Sequence, residues 1–204
     1  TLASFDMDDE FPEAVRSQAD ALSEESITPL VEEREDRTGQ PYVTIDSPGT
    51  QDMDDALLVE PNATGWRSSV AIADPTALVP QDSPADVEAR QRATAIYFPG
   101  EPRPMLPDAI STRLCSLMPE VDRLALVCDL QVNNDGSLGD FSFHQAVIRS
   151  RGKLSYELVN QLLDDQHNED TDALAPEITN NLDQLHQAAT ALRKWRSDHA
   201  LLNT

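Results

Sequence analysis

The sequence predicts an α/β fold, a mixed β-sheet with packed helices, on three observations. Apolar runs of strand length lie near 42–45, 56–59, 67–73, 124–132 and 138–148, with helix-start signals between and after them. Asn133-Asn134-Asp135-Gly136 divides the last two runs, and Asp-Gly in that setting marks a hairpin. Ser83-Pro84-Ala85-Asp86 and the apolar stripe after Pro176 open two longer helices. With 204 residues, 39% of them hydrophobic, the chain can bury one core, and one domain is expected.

Each element follows from local chemistry. Residues 1–40 are acidic and weakly apolar and read as a connector, with short helical pieces from Phe11 through Leu22 and from Ile27 to Glu33. Tyr42 to Ile45 alternates as a half-buried strand, Val43 and Ile45 on one face, Thr44 and Asp46 on the other. Pro48 and Gly49 suit the central positions of a type II turn over Ser47–Thr50. Ala56 to Val59 and Arg67 to Ala73 read as strands, and Asp74-Pro75 as a turn that uses Asp74 for initiation rather than chemistry. Ser83 caps a helix expected to reach about Ile96, closed by Pro99-Gly100 and delivering Tyr97 at its C-terminal end. Pro102, Pro104 and Pro107 stiffen the next loop. Beyond the hairpin, Ser155 caps a helix to Leu163, and Asp164 to Asp172 is an acidic loop holding His167. The last helix, about Pro176 to Leu201, aligns Ile178, Leu182, Leu185, Ala189, Leu192 and Trp195.

The chemistry centres on TIDSPGTQDMDDAL, which places Asp46, Asp52, Asp54 and Asp55 around one turn. In a regular strand Asp52 and Asp54 face one way and Asp55 the other, so convergence requires a bend or bulge beside the loop. Crowded carboxylates raise one another's pKa unless a cation or proton intervenes. Mg²⁺ takes hard oxygen ligands at about 2.0–2.1 Å and completes its shell with water and phosphate oxygens. Such a site suits phosphodiester hydrolysis. The competing reading is a solvated acidic loop in an Asp-rich chain. An EF-hand loop does not fit, because Pro48 and Ala56 break its pattern from Asp46 and Asp52 respectively.

TIDSPGTQDMDDAL, VAIADPTALV (70–79), IYFPGEPRPMLP (96–107), LCSLMPEVDRLALVCDLQVNNDGSL (114–138) and AVIRSRGKLSYELV (146–159) occur in that order, with WRSDHAL fainter near the end. Together they resemble the catalytic RNB domain of the ribonuclease II and ribonuclease R family, over roughly Pro41 to Leu202. The resemblance implies that residues 41–204 are the N-terminal part of an RNB catalytic domain. It implies a Mg²⁺-dependent, processive 3′-to-5′ exoribonuclease that hydrolyses single-stranded RNA to nucleoside 5′-monophosphates, monomeric in its full form. Carried over residue by residue, Asp46, Asp52 and Asp55 are metal-site carboxylates. Asp54, with Asp52, is the catalytic acid pair, Asp54 being closest to the scissile phosphate. Tyr97 matches the tyrosine that stacks near the 3′-terminal base; without the resemblance it reads as a half-buried aromatic. The family's paired-arginine motif and RNA-binding barrels have no counterpart in these residues, so the chain is expected to be a fragment, weak or inactive alone.

The charge opposes a nucleic-acid function: net −22 with a pI near 4.2, where a basic surface is the usual footprint. Salt adaptation is one resolution, since Lys153 and Lys194 are the only lysines and molar salt shortens the Debye length to a few Å. Basic surfaces outside these residues are another. Arg149, Arg151 and Lys153 form the densest basic stretch, read equally as an RNA-backbone contact or as a solvated strand end. Arg103 and Arg113 could meet phosphate, solvated arginines being the commoner outcome. Cys115 and Cys128 lack a CxxC partner and read as buried free thiols, in keeping with a cytoplasmic location. No apolar run approaches the roughly 20 residues of a membrane span. His144, His167, His186 and His199 show no ligand spacing. Two alternatives stand beside the exoribonuclease: a catalytically silent acidic interaction module with an RNB-like fold, and a Mg²⁺-dependent phosphodiesterase acting on DNA.

Overall fold

A computed structural model describes residues 10–98, 101–166 and 168–199. Two short helices, α1 (Glu13–Asp20) and α2 (Glu24–Val31), precede a three-residue strand β1 (Glu35–Arg37). β2 (Thr44–Asp46) leads through the acidic loop into the hairpin of β3 (Asp55–Asn62) and β4 (Gly65–Ala73). Helix α3 (Pro84–Arg92) follows, then a small hairpin of β5 (Ile96–Phe98) and β6 (Glu101–Arg103). A single turn, α4 (Asp108–Ile110), runs into a π-helical turn over Ser111–Cys115. The long hairpin β7 (Asp122–Asn133) and β8 (Leu138–Arg149) leads to β9 (Lys153–Ser155), α5 (Tyr156–Leu163), α6 (Glu169–Asp172) and α7 (Pro176–Asp198).

The main sheet has the order β1-β8-β7-β4-β3, with β1 parallel to β8 and every other pair antiparallel, which is the mixed sheet expected from the sequence. β2 and β9 form a separate parallel pair, Thr44 opposite Lys153 and Asp46 opposite Ser155. The two sharp reversals need glycine. Gly65 (φ 146°) and Gly136 (φ 83°) sit where an added Cβ would collide with the Val132 and Ala191 carbonyls respectively. The second contact docks the β7–β8 turn onto α7.

One sheet face is sealed by Tyr42, Met53, Leu58, Val127 and Ile148, none more than 2% exposed. Each such burial contributes about 1.5–3 kcal/mol of transfer free energy. At one end of the opposite face α1 and α2 bring Ala19 and Ile27 against Leu124 and Val147. α7 packs on β3 and β4. Its buried Asn181 accepts the Val59 N–H (2.8 Å) and donates to the Pro41 and Leu57 carbonyls (both 3.1 Å). The edge strand β3 thereby receives side-chain partners where a further strand would pair. At the other edge Arg37, 4% exposed, binds both Asp129 oxygens at 3.0 Å and Glu35 at 2.9 and 3.1 Å. Burial works against the Asp129 charge, yet the Arg37 and Ser69 hydrogen bonds outweigh it and hold its pKa below the usual carboxylate range.

Several local expectations change. The Ser47–Thr50 turn forms, closed by the Thr50 N–H to the Ser47 carbonyl at 3.0 Å, but Gly49 has no positive φ and the turn is not type II. Types I and II differ by a flip of the central peptide, and here the Lys153 ammonium holds the Pro48 carbonyl at 3.1 Å. Helix α3 stops at Arg92, four residues short of Ile96, and Ala93 takes φ 63°. The Arg92 guanidinium fixes that end, bonding Glu88, the Pro104 and Glu10 carbonyls, and lying 3.9 Å over the Phe11 ring. Tyr97 therefore lies on strand β5, in a run of β-branched and aromatic residues that favours strand. Pro99-Gly100, expected to close the helix, lie outside the described residues, as do His167 and Leu201. The residues of β1 fall inside the stretch read as a connector, and α6 occupies part of the expected acidic loop. On α7 the fully buried positions are Ile178, Asn181, Leu182 and Ala188, with Leu185, Ala189, Leu192 and Trp195 half-buried. Cys115 is buried and Cys128 half-buried, both free, and burial pushes the Cys115 thiol up to about 12. No described helix is long and apolar enough to cross a membrane.

Candidate active site

The chain between β2 and β3 leaves regular structure for eight residues, 47–54, and this supplies the bend that convergence of the acids requires. Asp46 ends β2 and Asp55 opens β3. Asp52 and Asp54 project from the intervening loop. All four line one cavity of about 660 Å³, together with Tyr97 and Asp108. Pro104 adds a wall from the proline-rich loop.

The loop is anchored on both flanks. The Asp54 carbonyl accepts the Ala73 N–H (2.8 Å), and the Met53 carbonyl accepts the Leu117 N–H (2.9 Å). Met53 points inward and is fully buried, which turns its neighbours Asp52 and Asp54 toward the cavity. Tyr97 is 67% exposed, yet its hydroxyl donates to Asp52 Oδ2 at 2.8 Å. That hydrogen bond, with partial burial and the Asp52 and Asp54 charges, pushes the phenol up to about 12, so Tyr97 stays protonated at neutral pH.

The described lining of the cavity is acidic and includes no lysine or arginine. Desolvation raises the pKa of Asp54, and the Asp52, Asp55 and Asp46 charges raise it further. Asp46 is raised by desolvation and Asp55, with Lys153 acting in the opposite sense. A bound cation offsets the repulsion among the acids and favours their charged forms. As they stand, no three described His, Cys, Asp or Glu side chains are grouped closely enough to hold one ion. The donor set nevertheless fits Mg²⁺ in kind: carboxylate oxygens only, in an open cavity, where one or two carboxylates plus water and phosphate oxygens make the usual shell.

The basic residues separate. Lys153 reaches the acidic loop, donating to the Pro48 and Thr50 carbonyls. Arg149 instead pairs with Asp122 (2.7 Å), and Arg151 with Glu120 (3.4 Å) and the Thr38 carbonyl (2.9 Å), none of which lines the cavity. Asp74 is 2% exposed and bound by Arg34 at 2.6 Å beside a 3₁₀ turn, consistent with a structural acid. Asp108 was not identifiable as a site residue from the acidic cluster. Its signal is weak: an acid opening a helical turn directly after PMLP, 53 positions beyond Asp55.

The RNB domain family model matches residues 34–204. The chain belongs to the RNB-domain family. It is 44% identical over 179 residues to exoribonuclease 2 of Actinobacillus pleuropneumoniae serotype 5b, covering 83% of this chain and 27% of that protein. It is 39% identical over 189 residues to ribonuclease R of Escherichia coli K12, covering 92% and 23%. Among solved structures it resembles Mycoplasma genitalium RNase R in complex with double-stranded RNA, with a TM-score of 0.88 and 29% identity over 97% of this chain and 34% of that one. This RNB-domain chain thus spans about a quarter of the length of the curated relatives it matches. The mixed sheet with its helices corresponds to part of the RNase R fold.

Proposed function

We propose that this chain carries the acidic half of the active site of a Mg²⁺-dependent 3′-to-5′ exoribonuclease, acting on single-stranded RNA and releasing nucleoside 5′-monophosphates. The observation that carries the reading is the meeting of Asp46, Asp52, Asp54 and Asp55 with Tyr97 on one cavity. The RNB membership and the exoribonuclease and RNase R relatives support it. Asp46, Asp52 and Asp55 would hold Mg²⁺, closing up around the ion or reaching it through water, because as they stand no three described acids are grouped closely enough to hold it directly. The ion, when bound, supplies charge neutralisation at the phosphate and a more acidic attacking water. Asp54, whose proton affinity is raised by burial and its neighbours, stands next to the reacting phosphate and accepts or positions the proton of the attacking water.

Tyr97 offers an exposed ring for the 3′-terminal base while its hydroxyl stays tied to Asp52. Stacking accepts any base, as an exonuclease must, and is worth about 1–3 kcal/mol per base. Arg149 and Arg151 are proposed as backbone contacts outside the cavity, with phosphate replacing one exposed carboxylate partner each. Domain limits of 1–40 and 41–204, a monomeric whole protein and a cytoplasmic site of action belong to the same proposal.

The test is digestion of 5′-labelled single-stranded RNA by the protein containing this chain, with Mg²⁺ and with chelator. A Mg²⁺-dependent jump to a short limit product is expected. Changing groups that merely orient metal ligands costs about 10–100-fold, so Asp54→Asn should cost at least the upper figure. Digestion that persists unchanged in Asp54→Asn refutes the assignment. No digestion at all favours a silent RNB-like module.

A further inference from the structure

None of the four acids sits in regular structure that would by itself aim it at the cavity: two lie in the loop and two at strand ends. Their convergence depends on what grips that loop from outside. On one side is Ser116, a polar residue only 1% exposed. Its hydroxyl donates to the Gln51 carbonyl at 2.8 Å and accepts the Met53 N–H at 3.0 Å, so one side chain closes over both peptide units flanking Asp52. Ser116 is in turn fixed by Arg123, 4% exposed, which donates to the Ser116 carbonyl (3.1 Å) and the Arg113 carbonyl (2.9 Å) while paired with Glu24 (3.0 and 3.1 Å). On the other side Lys153, placed opposite Thr44 by the β2–β9 pairing, reaches across to the Pro48 and Thr50 carbonyls.

We propose that Ser116 and Lys153 are positioning residues, a two-sided clamp that holds residues 48–53 on the path aiming Asp52 and Asp54 into the cavity. The inference rests on the metal-dependent reading of the site, and it gives Lys153 a role different from direct phosphate contact. Ser116 suits the inner grip because a hydroxyl both donates and accepts, matching one carbonyl and one N–H two residues apart. Lys153 suits the outer grip because an ammonium satisfies two converging carbonyls and places a fixed positive charge near Asp46. Neither residue lines the cavity, so each acts through the acids.

The test compares wild type, Ser116→Ala, Lys153→Met and Lys153→Arg by hydrogen exchange over residues 47–54, Mg²⁺ calorimetry and RNA affinity in chelator. Ser116→Ala and Lys153→Met should speed exchange in that segment and weaken Mg²⁺ binding roughly 10- to 100-fold, the range for groups that orient metal ligands. RNA affinity in chelator should stay within about twofold, and Lys153→Arg should recover most of the Mg²⁺ affinity. Wild-type exchange and Mg²⁺ affinity in both variants overturn the clamp. Loss of RNA affinity in Lys153→Met with Mg²⁺ binding intact also overturns it, making Lys153 a substrate contact. If Ser116→Ala raises exchange throughout the chain, Lys153→Met, whose site is only half-buried, decides. If wild type neither binds Mg²⁺ nor cleaves RNA, the functional reading falls, and the local exchange pattern alone upholds or overturns the clamp.

Discussion

Replacing Asn181 with alanine should destabilise the 204-residue chain by an amount that can be worked from its three hydrogen bonds. The Val59 N–H loses its acceptor at 2.8 Å, and Val59 is 1% exposed. The Pro41 carbonyl loses its donor at 3.1 Å. The Leu57 carbonyl keeps a partner, because it also accepts the Val43 N–H at 3.1 Å. Two groups are therefore orphaned. At about 1–3 kcal/mol each, and less where water enters the gap left by the amide, the loss is roughly 2–4 kcal/mol. With a urea m-value of about 2 kcal/mol/M, the unfolding midpoint should fall by about 1–2 M. Asn181→Leu, similar in size, should do no better, since it restores neither bond. Urea titration followed by circular dichroism and by tryptophan fluorescence gives the measurement, and coincident curves license the two-state treatment. A midpoint within about 0.2 M of wild type at unchanged m would refute the reasoning. The loss should reach the site, because β3 begins at Asp55.

Acid titration should show two opposed limbs. Asp46 and Asp54, raised in the folded state, make folding more favourable as pH falls through their folded pKa values toward the unfolded carboxylate value of about 3.9. Asp129, depressed, contributes stability above that value, and the contribution is lost as pH falls through its folded pKa. Asp54→Asn should thus flatten the upper limb and Asp129→Asn the lower one in thermal melts from pH 3 to 7; a Asp54→Asn curve parallel to wild type sinks the first claim. Tyr97→Ala should weaken RNA binding in chelator by the roughly 1–3 kcal/mol of one stacked base, while Tyr97→Phe retains it. Equal losses in both variants, by fluorescence anisotropy, would show that the hydroxyl rather than the ring binds. With a net charge of −22, the melting temperature should climb from 0.1 to 1 M KCl as the Debye length shrinks from about 10 to 3 Å, and a flat profile would remove the salt-adaptation argument.

The elements that sequence reasoning located well are those with local causes. Asn133–Gly136 makes its hairpin because Gly136 takes the left-handed φ that position needs, and Ser155 caps α5 through the Leu158 N–H at 3.0 Å. The four acids were legible as a group because two strand signals bracket them. What sequence could not show depends on distant contacts. α3 ends early because Arg92 is engaged by Phe11, Glu10 and Pro104, and no periodicity near residue 92 encodes those partners. The Pro48 peptide orientation is set by an ammonium 105 positions away. Ser116 carries no motif of its own in the apolar run 114–118, although its burial is what lets it grip Asp52's neighbours. β1 is too short and too charged to announce itself, and only its parallel register with Ala146–Ile148 defines it.

The β2–β9 pairing has a consequence for how the protein comes into being. During synthesis the loop bearing Asp46 to Asp55 leaves the ribosome long before Lys153, which lies opposite Thr44 in that pair. Lys153 follows Pro48 by 105 residues, which at about 5–20 residues per second is roughly 5–20 s of translation. For that interval the acids have neither their second strand nor their outer grip. On the proposed function, an RNA-cutting centre would therefore stay unassembled, beside messenger and ribosomal RNA, until the chain has grown past it.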